Sequence, residues 1–87
     1  MIQIQLIEEH YWPVLVCAQC GHLVQRIGNV LWTVDPETAQ PNGGPFLTHK
    51  HCHDLFAAQR PDLTWMWAEL PTFMGQLIRN GQVELGA

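Results

Sequence analysis

Positive charge is scarce in this chain. Eight acidic side chains face only four fixed cations, which are Arg26, Lys50, Arg60 and Arg79, so the formal net charge is −4. Surfaces that bind nucleic acid or acidic lipid present clustered lysine and arginine to negatively charged groups. The composition therefore argues against a phosphate-binding surface and against binding to an acidic membrane.

Long apolar runs and an export signal are also missing. No apolar run approaches the roughly 20 residues that cross a bilayer. Residues 1–7 alternate polar and apolar side chains without a basic segment, which is typical of a strand and not of a signal peptide. The three cysteines are an odd number, and in such a chain paired cysteines are more often metal ligands than disulfides. We therefore expect a reducing, cytoplasmic compartment.

Catalytic motifs are absent as well. The sequence holds no glycine-rich phosphate loop, no Ser-His-Asp spacing and no carboxylate pair, so we expect no enzyme activity. His10, His22, His51 and His53 have no further role by this pattern, because lone histidines are usually solvated or hydrogen-bonded near another site. A single domain over residues 1–87 is predicted, and a chain of this length buries only a marginal core unless something staples it.

What the chain does have is two short pairs of metal-binding residues. Cys17-Ala-Gln-Cys20-Gly21 is followed by His49-Lys-His-Cys52, a C-x2-C-x28-H-x2-C pattern. Zinc takes four thiolate or imidazole ligands tetrahedrally, and a Cys3His set fills its coordination shell, as in structural sites. The pattern predicts one structural Zn²⁺ bound by Cys17, Cys20, His49 and Cys52.

Two alternatives remain open for these residues. His53 stands four residues after His49, so a C-x2-C…H-x3-H set would use His53 in place of Cys52. Thiolate preference favours Cys52, which also faces the same way as His49 on the first turn of a helix. Cys17 and Cys20 would otherwise form a redox dithiol, although the residues after Cys20 do not open a helix well, as a thioredoxin-like motif requires.

The order of knuckle, hairpin and helix resembles the treble-clef zinc fingers. Gly21 suits the positive φ that a knuckle needs after its second cysteine. The H-x2-C pair is similar to the poly(ADP-ribose) polymerase-type finger and, more loosely, to the first half of a LIM domain. The resemblance covers about residues 14–60 and implies a small α+β fold with a zinc knuckle, a β-hairpin and a helix. The resemblance does not imply the DNA binding of the polymerase-type fingers, because residues 21–48 contain only one fixed cation, Arg26.

Periodicity predicts the remaining elements. The alternation of Ile2, Ile4 and Leu6 indicates a half-buried N-terminal strand. Further along we expect an extended run over residues 11–16 and then two strands, 22–26 and 29–34, around a Gly28-Asn29 turn. A loop over 35–45, a short strand over 46–48 and a helix over 49–59 follow.

The C-terminal part reads as a helical extension over about residues 62–81. Its amphipathic stripe is Leu70, Phe73, Met74, Leu77 and Ile78. Pro71 suits the first turn and Asn80-Gly81 the end. Trp65 and Trp67 precede this helix, in a helical turn or a loop. Residues 82–85 are predicted to form a short closing strand.

These features favour a non-catalytic interaction or regulatory module. Tryptophan is enriched in interface hot spots, so we expect another protein or a second copy to bind through Trp65, Trp67 and the C-terminal helix. The simpler interpretation is that this helix only completes the core. A nucleic-acid-associated zinc-finger regulator is the alternative function, followed by a CxxC redox protein.

Overall fold

The structure, a computed structural model, describes residues 2–82. Its elements form an α+β architecture, as the sequence predicted. In chain order they are β1 (Ile2–Ile7), β2 (His10–Leu15), β3 (Asn29–Val34), β4 (Pro41–Thr48), a 3-10 turn (Lys50–Cys52), α1 (His53–Ala58), β5 (Thr64–Glu69) and α2 (Leu70–Gly81). Within residues 2–82, no helix is both long and apolar enough to cross a membrane.

A three-stranded antiparallel sheet in the order β4-β3-β5 forms the centre of the fold. Successive side chains of β3 point to opposite faces of this sheet. Leu31 is fully buried on one face, opposite Phe46 of β4, whose ring contacts Phe56 of α1. Trp32 lies on the other face, where its ring centroid is 6.1 Å from that of Phe73 in α2. The sheet is therefore covered by a helix on each side.

The predicted C-terminal helix is confirmed as α2. Pro71 lies in its first turn, where a missing N–H leaves no intrahelical hydrogen bond unmade. Gln82 ends it in the left-handed conformation with φ 53°, and its N–H donates to the carbonyl of Arg79 at 3.2 Å. Leu70 is buried in the core and Phe73 packs against it, so α2 contributes directly to the core.

Two predictions about the hairpin region were wrong. Residues 22–26 form no strand, apart from an isolated bridge between Leu23 and Val16, and β3 pairs with β4 instead. The predicted loop over 35–45 ends at residue 40, because β4 begins at Pro41. Proline and glycine are tolerated there because β4 is an edge strand whose register shifts opposite residues 31–34.

The tryptophan-rich segment was also mispredicted. Trp65, Met66 and Trp67 lie in β5, which pairs with β3 from Thr64 to Glu69. Threonine and tryptophan are strong strand formers, and alternate side chains of this segment reach opposite faces of the sheet. Of the predicted helical extension over about residues 62–81, residues 70–81 are helical, and α2 starts at Leu70 with Pro71 in its first turn as the sequence indicated. Of the predicted closing strand, residues 83–85 lie outside the described part of the chain.

The N-terminal strand is confirmed, but its burial is not. β1 pairs with β2 in a separate two-stranded antiparallel sheet. Glu8 and Glu9 join the two strands with φ of 49° and 69°, and such positive φ values suit a two-residue turn that follows the strand twist. Ile2, Ile4 and Leu6, predicted to be half-buried, are 71%, 64% and 59% exposed, because this hairpin lies outside the covered sheet.

Gly28 provides a stability test for the sheet and its neighbours. A Cβ at this position would lie 2.9 Å from the carbonyl oxygen of Thr48 and 2.7 Å from a methyl of Val24. We expect Gly28→Ala to lower the free energy of unfolding by about 1–3 kcal/mol, because backbone atoms cannot move away cheaply. Gly75, inside α2, has open space around it, so Gly75→Ala should raise the free energy of unfolding by about 0.5–1 kcal/mol. Denaturant unfolding of both variants tests this; equal effects at the two sites would contradict it.

Candidate metal centre

Three separate segments bring four sulfur- and nitrogen-bearing side chains together. Cys17 and Cys20 follow β2, His49 follows β4, and Cys52 ends the 3-10 turn. One donor atom from each residue lies within 4.8 Å of the donor atoms of the other three. Cys17 and Cys52 are buried, His49 is half-buried and Cys20 is exposed. These four residues, the same four that the spacing predicted, are positioned to hold one metal ion.

The segment from Cys17 to Gly21 folds as a tight turn around a sulfur atom. The N–H of Gln19 donates to Cys17 Sγ at 3.4 Å, and the N–H of Gly21 donates to the Cys17 carbonyl at 3.0 Å. Gly21 has φ 77°, the positive value expected from the sequence. The N–H of Ala18 donates to the carbonyl of Leu47 at 2.7 Å, which fixes the turn against β4.

His49 is oriented by a backbone carbonyl. Its Nε2 lies 2.7 Å from the carbonyl oxygen of Leu23, so Nε2 carries the proton and donates. Its Nδ1 lies 3.4 Å from Cys20 Sγ. A hydrogen bond from the distal ring nitrogen is the usual device that fixes the tautomer of a metal-binding histidine. No residue pattern points to this partner, because every residue has a backbone carbonyl.

The two buried cysteines have opposite pKa shifts. Burial raises the pKa of Cys52, and hydrogen bonding and charge from Cys17 and Cys20 raise it further, to about 11. Burial also acts to raise the pKa of Cys17, but the backbone N–H groups of Cys20, His49 and Gln19 outweigh it and lower the pKa to about 6. The protein therefore stabilises a thiolate at Cys17 and opposes further negative charge at Cys52.

This charge pattern is relevant to metal binding. Ligating cysteines must be deprotonated, and thiolates packed this closely repel one another. A divalent cation among the sulfur atoms would compensate that repulsion and lower the thiol pKa values. The donor set, three sulfur atoms and one imidazole nitrogen, therefore fits a thiophilic divalent ion.

The neighbouring histidines lie outside the cluster. His53 Nδ1 is 2.8 Å from the side-chain nitrogen of Asn29, and its ring meets the ring of Trp67 edge to face. The ring of His51 stacks on that of His49, with centroids 5.0 Å apart, and does not join the sulfur atoms. The donor atoms that converge thus include Cys52 and not His53.

Comparisons with protein-family models, with curated proteins and with solved structures found no match for this chain. The treble-clef assignment therefore stays a prediction that rests on the ligand spacing.

Ligand identity can be tested with neighbouring substitutions. We expect Cys52→Ser to lower zinc affinity by more than about tenfold, because it replaces a thiolate donor by a hydroxyl. His53→Ala and His51→Ala should keep one zinc per chain, since neither ring is among the converging donors. Zinc content after dialysis against a weak chelator checks this. Full retention by Cys52→Ser together with loss by His53→Ala would establish the C-x2-C…H-x3-H set instead.

Proposed function

We propose that this chain is a non-catalytic domain, stabilised by one structural Zn²⁺, that acts as a protein–protein interaction module. The convergence of Cys17, Cys20, His49 and Cys52 carries the metal part of the proposal. Three thiolates and an imidazole suit zinc, and four protein ligands fill its shell. Such a shell keeps no position for a reactive water or a substrate, which is why we propose a structural and not a catalytic ion.

The proposal includes a treble-clef arrangement of the metal site. Three features support it: a tight turn with two cysteines, a hairpin of β3 and β4, and a ligand at the start of α1. β5 and α2 are then additions to that arrangement, and β5 extends its hairpin to three strands.

Zinc would staple segments that are distant in the sequence. The small core cluster contains two of the proposed ligands, Cys17 and Cys52, beside Val30, Leu47 and Leu70. A core this small supplies little stability by itself, so metal binding should contribute much of the folding free energy.

We expect the purified chain to hold one zinc per chain and to lose most of its near-ultraviolet circular dichroism on chelation. Zn²⁺ should restore that signal, and Mg²⁺ should not, because magnesium prefers oxygen ligands. Native mass spectrometry and circular dichroism measure the two quantities. A chain that keeps its native spectrum without metal would contradict the structural role of zinc.

The redox alternative has a separate test. Bound zinc should slow alkylation of all three cysteines by more than about tenfold relative to the chelated protein, since ligated thiolates are weak nucleophiles towards added reagents. Cys20 is exposed, so access does not limit its reaction. Rapid alkylation of Cys20 with zinc retained, or reversible formation of a Cys17–Cys20 disulfide, would favour the CxxC redox protein.

The interaction part of the proposal rests on exposed apolar side chains. Trp67, Met66 and Leu77 are 52%, 47% and 56% exposed. Trp65, by contrast, is half-buried, and its ring centroid lies 6.0 Å from that of Phe46, within a cluster that also includes Phe56. Of the two tryptophans predicted to contact a partner, Trp67 is therefore the available one.

The nucleic-acid alternative has less support. Lys50 lies 3.6 Å from the carboxylate of Glu69, and Arg60 lies 3.2 Å from that of Asp62. Half of the four fixed cations thus stand in ion pairs, which reduces the positive charge available to phosphates. Binding through phosphates would weaken steeply with added salt, whereas apolar docking would not.

A further inference from the structure

The β1–β2 hairpin has one entirely apolar face. Residues directly opposite in an antiparallel pair share a face. The register pairs Ile2, Ile4 and Leu6 of β1 each with an apolar residue of β2. We call these six residues the hairpin face: Ile2, Ile4, Leu6, Tyr11, Pro13 and Leu15. The opposite face is mixed, because Gln3 and Gln5 lie there beside Ile7, His10, Trp12 and Val14, whereas the hairpin face is wholly apolar.

The described part of the chain leaves the hairpin face largely uncovered. Ile2, Ile4 and Leu6 are 71%, 64% and 59% exposed, and Tyr11 is 73% exposed. A two-stranded hairpin is at best marginally stable in water and needs a partner to pack against. A cluster of exposed apolar side chains of this kind marks an interaction site.

The same surface continues into a groove. Ile2 and Leu15, at one end of the hairpin face, also line an apolar cleft of about 340 Å³. Its other walls include Phe46 of β4 and Met74 and Leu77 of α2. Met74 and Leu77 are 37% and 56% exposed. One end of the hairpin face thus adjoins the exposed apolar side chains of α2 at this cleft.

We propose that the hairpin face is the interface of a homodimer, in which two copies pack these faces together about a twofold axis. This inference rests on the proposed function, because it names the partner of the interaction module as a second copy. It moves the contact from Trp65 and Trp67 to β1, β2 and the exposed rim of α2.

Charge and shape favour a second copy. A twofold interface requires a surface that complements itself, and an uncharged apolar strand face meets that requirement. The net charge of −4 would oppose association of two copies, but none of it lies on this face. Glu8 and Glu9 lie in the turn, at the tip of the hairpin.

The available area reaches the lower limit for a specific interface. With roughly 200 Å² for a fully exposed side chain of this size, the four most exposed residues of the hairpin face would bury about 500 Å² per copy. Two copies would bury about 1,000 Å², the lower limit for a specific interface. Met74 and Leu77 at the rim of the groove add to that area.

The test uses the zinc-loaded full chain and two matched double variants. Ile4→Glu with Leu6→Glu adds two charges to the hairpin face. Gln3→Glu with Gln5→Glu adds the same two charges to the opposite face of the same strand. Sedimentation equilibrium over a range up to about 100 µM reports the oligomeric state, since micromolar dissociation constants are measurable there.

We expect the unaltered chain and the glutamine variant to be dimeric, and the Ile4→Glu/Leu6→Glu variant to be monomeric, with a dissociation constant raised at least tenfold. Amide hydrogen exchange in residues 2–15 should slow as the concentration of the unaltered chain rises. This readout needs no substitution, so it holds even if a variant folds poorly.

Several results would overturn the inference. They are a monomeric unaltered chain, a dimer that survives the Ile4→Glu/Leu6→Glu change, and equal dissociation of both variants. Zinc content, measured on the same samples, separates this failure from that of the proposed function. A monomer with one zinc would contradict the homodimer but agree with a structural-zinc module that binds a different protein. A folded chain that binds no zinc would contradict both proposals.

Discussion

The meeting of four donor atoms at one point is the constraint on which the rest of this structure depends. Cys17 and Cys20 follow β2, His49 follows β4 and Cys52 precedes α1, so the cluster lies where three elements distant in the sequence meet. Its surroundings serve the same end, because N–H groups are directed at Cys17 and the Leu23 carbonyl orients the ring of His49. A small apolar core adjoins the cluster and includes two of its cysteines. Cys17 and Cys52 thus belong both to the candidate metal site and to the hydrophobic core.

Spacing was the most informative signal in the sequence. Two pairs of ligand residues predicted which four side chains would converge, because each pair spans one turn of backbone and few other residues here bind a soft metal. The period of apolar residues likewise predicted α2, with Pro71 marking its start. Ligand spacing and helical periodicity are both read from residues close together in the sequence. Each pattern is compatible with few other structures.

Predictions failed where pairing between distant segments decided the outcome. Residues 22–26 have strand-like composition, yet β3 takes its neighbours from β4 and β5, and no local pattern indicates which segments pair. The alternation of Ile2, Ile4 and Leu6 correctly gave a strand, but periodicity tells which side chains share a face and not what covers that face. The orientation of His49 escaped prediction for a related reason, since its partner is main chain.

The position of β5 has a consequence for how the chain can be divided. β3 is the central strand only because β5 pairs along its second edge, and β5 comes after all four metal-ligand candidates in the sequence. A fragment that stops near residue 60 would keep the whole ligand set but expose the backbone edge of β3 beside the fully buried Leu31. Unprotected edges of this kind recruit other strands and aggregate. The ligand-bearing segment is therefore not an autonomous unit of this protein.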